Sequence, residues 1–315
     1  MFQRVWLLAA VVLAAGLVLA KGHLALRWRG RVIYEKLCGH LPYLGWKEVA
    51  RIVLSRAHNV WLGSGKLKER LTLLAAELLH GRNCEQYQTK LGKFWIAAPG
   101  RDCMSIVSWE LTVQRDYEHG EVGIRAGDTV IDCGAHIGMF SRYALEQGAR
   151  QVVAIEPDPV NQACLEANLA PEIASGQVAV VKAGVWERAD RLTLFHWEGD
   201  ESASQSFLFE PAKGTKIEGT PVLPLDDIVA QFKLDRVDFI KMDLEGSERH
   251  ALEGAQQTLR RFKPRMAICS YHLADDPVVL PALVRKAQPT YRIHAKDVEV
   301  TIHGDALNPK VLFFE

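Results

Sequence analysis

The chain has 315 residues, of which 48% are hydrophobic and 24% charged, and its 38 basic side chains are balanced by 38 acidic ones. That is the composition of a folded globular protein of one large or two small domains, and it excludes a disordered or fibrous chain. A formal net charge of zero provides no basic field, so nucleic acid is not expected as a partner. The six cysteines are scattered without a CxxC pair, which points to a reducing compartment and no structural zinc, with paired disulfides in an exported protein as the alternative.

Val5 to Ala20 carries no charged or strongly polar residue. As a helix the run reaches only about 24 Å, short of the roughly 30 Å of a bilayer core. Met1, Phe2, Leu24 and Leu26 can extend it, and the flanking Arg4 and Lys21 can reach the headgroups. Residues 1–23 are expected to form a transmembrane signal-anchor helix. Lys21, Arg27, Arg29, Arg31 and Lys36 follow the run while only Arg4 precedes it. That asymmetry predicts a single pass through the inner (cytoplasmic) membrane with the bulk of the chain on the cytoplasmic side. The alternative is export after signal cleavage, since Val18-Leu19-Ala20 fits a small-residue cleavage site.

Residues 24–105 read as a tryptophan-rich, membrane-proximal helical or linker segment holding Trp28, Trp46, Trp61 and Trp95. Val49–Val60 and Lys66–His80 have helical spacing. The tryptophans suit a headgroup interface, a packed helical subdomain, or a docking surface for a membrane-protein partner. Gln86–Ile96 reads as a strand or hairpin, and Ile106–Tyr117 as a strand leading into a helix.

Strand and helix patterns then alternate through residues 106–315. Asp128–Asp132 is the first predicted core strand, and two glycines and the helix Met139–Gln147 follow it. The second strand, Gln151–Glu156, ends in an acid. Asp158 and Pro159 open the next helix as N-cap and first helical residue. Further strands are expected at Val178–Lys182, at Arg191–Trp197 on an edge, at Val237–Asp243 and at Arg265–Tyr271. Helices are expected at Leu225–Phe232, capped by Asp226 and Asp227, at Gly246–Phe262 and at Asp276–Gln288. Glu198–Gly219 reads as a loop, and Thr290–Ala295 with Val311–Phe314 as a closing strand pair. Such alternation predicts an α/β fold, a mostly parallel sheet with helices on both faces.

Ligands of parallel α/β sheets bind beyond the carboxyl ends of the strands. The residues there are Asp132, Gly134, Glu156, Ala183, Asp243, Glu245 and His272. Glu156, about twenty residues after the glycine turn, is placed to accept both ribose hydroxyls of a nucleoside. NAD and S-adenosylmethionine share that geometry. A dinucleotide site wants glycine at the first position of G-x-G-x-x-G, and here Asp132 stands there. A carboxylate repels a pyrophosphate but can pair, directly or through water, with the ammonium of a methionine moiety. S-adenosyl-L-methionine is therefore the expected cofactor. Its predicted contacts are Asp132, Gly134, Ala135, Gly138, Glu156, Pro157, Ala183 and Asp243.

Four stretches, GDTVIDCGAHIGMFS, VVAIEPDPVNQACLEANL, the LDDI segment at Leu225–Ile228 and VDFIKMDLEGSERHALEGAQQTLRRFKP, resemble the FkbM family of S-adenosylmethionine-dependent methyltransferases. The resemblance runs from about Val107 to Lys286. It implies a Rossmann-like, seven-stranded class I methyltransferase sheet with its last strand antiparallel. It also implies O-methyl transfer to hydroxyls of sugars or natural products. His136 departs from the family's usual asparagine. A hydroxyl nucleophile needs a group to take its proton, and the candidate catalytic residues are Asp243, Glu245 and His272. No spacing makes a convincing metal site, although Asp243 and His272 could contribute to one. The expected activity is thus a membrane-anchored O-methyltransferase acting on a small-molecule or lipid-linked acceptor. The alternative is a catalytically silent methyltransferase-like subunit of a membrane complex.

Overall fold

A computed structural model describes residues 24–54, 84–97, 104–197, 200–301 and 306–315. The predicted anchor, the Lys66–His80 helix and Trp61 lie outside the described residues. Among the described residues no helix is long and apolar enough to cross a membrane.

The chain begins with helices α1 (Leu24–Leu37) and α2 (Trp46–Leu54) and the hairpin strands β1 (Cys84–Thr89) and β2 (Gly92–Ala97). Helix α3 (Met104–Trp109) continues into a π-helical turn over Glu110–Gln114. The strand predicted from Ile106 is therefore a helix. The β-branched Ile106 and Val107 favour a strand locally, but packing around the buried Met104 and Leu111 decides for the helix.

The core unit follows: β3 (Thr129–Cys133), α4 (Met139–Glu146), β4 (Gln151–Ile155), α5 (Pro159–Asn168), α6 (Ala170–Ala174) and β5 (Val178–Val181). Strands β6 (Gly184–Val185), β7 (Asp190–Trp197), β8 (Asp200–Ser206) and β9 (Gly214–Leu223) come next. After helix α7 (Leu225–Gln231) come β10 (Phe239–Met242), α8 (Glu248–Glu253), α9 (Gln256–Phe262), β11 (Arg265–Cys269), α10 (Asp276–Ala287), β12 (Ile293–Val300) and β13 (Leu307–Phe314).

Seven strands form one sheet in the order β12-β13-β11-β10-β3-β4-β5. Strands β11, β10, β3, β4 and β5 are parallel, and β13 runs antiparallel to both β11 and β12. The period of two divides the side chains between the faces. Ile131, Cys133, Ile155, Ile240, Met242 and Ile268 pack on one side with α7 to α10. Val130, Val152, Ala154, Phe239, Ala267 and Cys269 pack on the other with α4 and α5. Val32, Leu41, Leu44, Val49 and Ile52 from α1, α2 and their connection join the first core, and Phe94 and Ile96 of the hairpin join the second. The described parts of residues 24–105 are thus built onto the sheet. Trp46 remains 54% exposed.

Two expectations change. The stretch read as a loop, Glu198–Gly219, contains β8 and the start of β9, and with β6 and β7 they make a second, four-stranded sheet in the order β6-β9-β7-β8. Most of β9 is exposed, so it lacks the alternation of a half-buried strand. The helix expected over Gly246–Phe262 is two helices, α8 and α9, separated at Gly254 and Ala255.

Asp158 caps α5 as expected, accepting from the backbone N–H groups of Val160 and Asn161 at 2.8 Å each. Asp226 does not cap its own helix. Its carboxylate accepts from Gln257 N at 2.9 Å and from Thr258 N and Oγ1 at 2.7 Å, closing the start of α9 instead. Asp226→Ala is expected to cost about 1–2 kcal/mol. Asp227→Ala, at an exposed position, is expected to stay within about 0.5 kcal/mol. Urea unfolding of the two variants checks the contrast.

Candidate functional site

The cleft lies at the carboxyl ends of β3, β4 and β10, and residues of β6, β7 and β8 in the second sheet also line it. Counting the open solvent at its mouth it spans about 1030 Å³. Gly134, Ala135, Glu156, Pro157, Ala183, Asp243 and Glu245 all line it. The structure therefore brings together seven of the predicted residues from four separated stretches of chain. Two regions outside the core strands also reach it. Val107, Glu110, Leu111 and Tyr117 come from before Gly127, and Gln205 and Phe207 from the former loop.

The glycine turn is shaped by left-handed backbone. Gly134, His136 and Gly138 have φ of +80°, +52° and +88°. A Cβ at Gly134 would overlap the backbone oxygen of Asp243, so only glycine lets β3 and β10 end side by side here. The family's asparagine at position 136 suits the same backbone, because asparagine and histidine are both enriched there. His136 N–H donates to Glu156 Oε2 at 2.7 Å. Gly138 does not line the cleft. A Cβ there would come within 2.8 Å of Leu169 Cδ1, so its role is close packing of α4.

Asp132 also stands outside the cleft lining, so of the pairing expected with a methionine ammonium, direct or through water, the direct form is not available to it here. The reason is the sheet's period of two. In the parallel register Asp132 lies directly beside Lys241, and both point to the face covered by α4. The Asp132 side chain is fully buried, with Oδ1 3.4 Å from Lys241 Nζ and Oδ2 accepting from Ser141 Oγ at 2.8 Å. Lys241 Nζ donates onward to Gly134 O at 2.8 Å and lies over the rings of Tyr117 and Phe140 at 5.6 and 5.9 Å. Burial works against the ammonium, but Asp132 and then Asp243 outweigh it and hold the pKa above the usual lysine value. Lys241 lines the cleft, and Asp132 reaches it only through Lys241. The lone charge within the apolar strand Phe239–Met242 was the signal for this residue, since an unpaired lysine is almost never fully buried.

Glu156 is 3% exposed. Its Oε2 takes the His136 bond and its Oε1 accepts from Asp158 N at 3.0 Å. Asn161 Nδ2 also donates to Oε1, at 3.5 Å, and Oε2 has a further lone pair for a hydroxyl donor. Burial above all raises the Glu156 pKa to about 7. A raised carboxyl favours the folded state while protonated, so this contribution is present below the usual value near pH 4.3 and is lost as pH rises through 7. Glu156→Gln is expected to remove a decline of order 2–4 kcal/mol between pH 4.5 and 7.5. Denaturant unfolding at a series of pH values measures it.

The third wall is the turn Asp243–Ser247. Glu245 has φ +50° and Gly246 φ +100°, and a left-handed glutamate costs on the order of 1 kcal/mol. Glu248 offsets this. Fully buried, it accepts from Leu244 N at 2.7 Å and Gly246 N at 3.1 Å. Ser206 Oγ, at the end of β8, donates to Glu245 O at 2.8 Å. Asp243 Oδ2 accepts from Tyr117 Oη at 2.9 Å. Burial would raise the Asp243 pKa, but Lys241, His272 and the tyrosine hydroxyl hold it below the usual carboxylate value.

His272 lies behind this turn. Its Nε2 is 3.7 Å from both Asp243 Oδ1 and Glu245 Oε2, and its Nδ1 is 3.0 Å from Glu248 Oε1. Burial would depress the imidazole, but Glu248, Glu245 and Asp243 raise its pKa to about 10. His272 lies outside the lining and, beside these acids alone, carries its proton already. This corrects its expected role as a base acting directly on a hydroxyl. Of the three acids around this imidazole, Asp243 and Glu245 face the cleft. Tyr117, Lys241 and Glu248 were not predicted as site residues. Glu248 was quoted in the family motif, whereas nothing local marks Tyr117.

The comparisons with known proteins agree with this architecture. Residues 132–288 match the model of the Methyltransferase FkbM domain. The 31-O-demethyl-FK506 methyltransferase FkbM of Streptomyces tacrolimicus is 33% identical over 176 residues, covering 47% of this chain and 66% of that protein. Methyltransferase sdnD of Sordaria araneosa is 25% identical over 161 residues, covering 41% of this chain and 60% of its own length. The chain therefore spans just under two thirds of the length of these relatives. The crystal structure of Methyltransferase FkbM from Methylobacillus flagellatus KT superposes on 94% of this chain and 63% of its own, with a TM-score of 0.50 at 20% identity. Through residues 132–288, the chain belongs to the FkbM methyltransferase domain family.

Proposed function

We propose that this chain is an S-adenosylmethionine-dependent O-methyltransferase that methylates a hydroxyl of a sugar, lipid-linked or natural-product acceptor. The observation that carries the reading is one cleft holding a buried strand-end acid, Glu156, on one side and two acids, Asp243 and Glu245, on the other. The donor supplies an electrophilic methyl on a sulfonium. Glu156 and Pro157 would hold its nucleoside, with Gly134 and Ala135 giving the backbone close approach. The residues fit such a molecule because the buried Glu156 carboxylate lines the cleft beside the backbone of Gly134 and Ala135. Asp243 and Glu245 would hold the acceptor and receive its proton, and the Tyr117 and Phe140 rings exclude water. Displacement at the methyl carbon gains chiefly from such positioning.

The likeness to a 31-O-demethyl-FK506 methyltransferase, named for methylation at an oxygen, supports a hydroxyl as the target. Val5–Ala20 and the five basic residues after it support an anchor in the cytoplasmic membrane with the cleft on the cytoplasmic side. The exposed Trp46 and Tyr34 beside basic α1 suit a headgroup layer or a membrane-protein partner. Incubation of membrane and soluble extracts with isotope-labelled S-adenosylmethionine, followed by mass spectrometry, tests the reading. A labelled hydroxyl product that requires Asp243 is expected. Label found only on nitrogen or carbon would overturn O-methylation, and an intact mass lacking residues 1–20 would overturn the anchor.

A further inference from the structure

We propose that Asp243, Glu245 and His272 form a binding site for one divalent transition-metal ion at the base of the cleft. One ligand atom from each lies within 4.8 Å of the others. Bonds of about 2.0–2.2 Å place neighbouring ligands roughly 3.0–3.5 Å apart, and the histidine Nε2 is 3.7 Å from each carboxylate. A small side-chain movement closes that difference.

Two further observations point to a ligand. The His272 side chain is fully buried, yet neither its Nε2 nor the buried Asp243 Oδ1 has a hydrogen-bond partner among the described residues. Buried polar atoms are seldom left so, and these two face each other. On the far side of the ring, buried Glu248 stands 3.0 Å from Nδ1. A carboxylate in that position orients the imidazole of metal-binding histidines and leaves Nε2 for the ion. The charges agree. Three carboxylates surround one imidazole, and a proton on Nε2 supplies one positive charge where a divalent ion supplies two. A bridging water would satisfy the two atoms and leave the charge unbalanced.

One nitrogen and two carboxylates suit manganese, iron, cobalt, nickel or zinc better than calcium. The metal's role, unlike its binding, rests on the methyl-transfer reading. Beside the acceptor it would lower the pKa of the hydroxyl. The hydroxyl proton passes by way of the carboxylates to solvent, the acceptor oxygen forms the new bond to carbon, and the sulfur–methyl bond breaks to give a neutral thioether.

The test uses the purified, untagged full chain, stripped with a chelator and titrated with Co²⁺ while the visible spectrum is recorded. One saturating Co²⁺ with ligand-field bands is expected. Affinity should fall by about 10–100-fold in Glu248→Gln and at least as far in His272→Gln and Asp243→Asn. In the wild type, proton NMR of the Co²⁺ form should show a shifted, exchangeable imidazole N–H, independent of whether any variant folds. No saturable Co²⁺ signal, bound Co²⁺ without that N–H, or equal affinity in folded variants overturns the proposal. Neither donor nor acceptor is present, so failure here leaves the methyl-transfer reading standing. Failure to bind S-adenosylmethionine would equally leave the Co²⁺ result intact.

Discussion

Replacing Asp243 with asparagine is expected to lower methyl transfer by a factor of about 10²–10⁴ while changing donor affinity far less. The two oxygens of this carboxylate have different surroundings. Oδ2 accepts from Tyr117 Oη at 2.9 Å, and Oδ1 faces His272 Nε2 at 3.7 Å. Lys241 and His272 keep the group ionised against its burial, so it meets an acceptor as an anion. The amide keeps the size and can still accept from Tyr117, but it has no charge to take up a proton or orient a hydroxyl donor. Glu156, on the opposite wall, is untouched. Single-turnover kinetics and donor binding on the same preparation separate the two quantities. A variant that loses donor affinity and rate in equal measure would assign Asp243 to the donor rather than to the acceptor side.

Lys241→Met is expected to destabilise the fold by about 3–5 kcal/mol, because it leaves the buried Asp132 carboxylate without its counter-charge. Asp132 is 0% exposed, and its Oδ1 has no hydrogen bond among the described residues. The sign follows from which partner is lost. A matched pair gives little net stability, whereas one buried charge alone costs several kcal/mol. Methionine fills the space between Tyr117 and Phe140 without replacing the bond to Gly134 O, so the glycine turn is loosened as well. For a domain of this size the loss lowers the melting temperature by roughly 10 °C. Adding Asp132→Asn should restore part of it, since the amide carries no charge into the interior. Calorimetry on the single and double variants measures the coupling. A double variant no more stable than Lys241→Met alone would contradict the pairing.

The parallel core was readable because strands buried on both faces are short apolar runs, and β3, β4, β10 and β11 all have that form. The turn at Gly134 and the acid at Glu156 could be placed on the same grounds. Asp132 could be recognised as an acid where a dinucleotide site needs glycine. Its direction could not, because that depends on register with Lys241, 109 positions later in the sequence. The environment of His272 was hidden for the same reason. Only the adjacency of β10 and β11 brings Asp243, Glu245 and Glu248 around one imidazole. The second sheet was unreadable because β9 is exposed along most of its length. Nothing in the segment before β3 announces that Tyr117 reaches across to Asp243.

The central claim is that the cleft between Glu156 and Asp243 binds the methyl donor. Isothermal titration of the full chain with S-adenosylmethionine tests it most directly. One binding site is expected, weakened by about 10–100-fold in Glu156→Ala through loss of hydrogen bonds to a charged group, and unchanged in the exposed Asp227→Ala. No binding by the wild type, or binding indifferent to Glu156, would contradict the account.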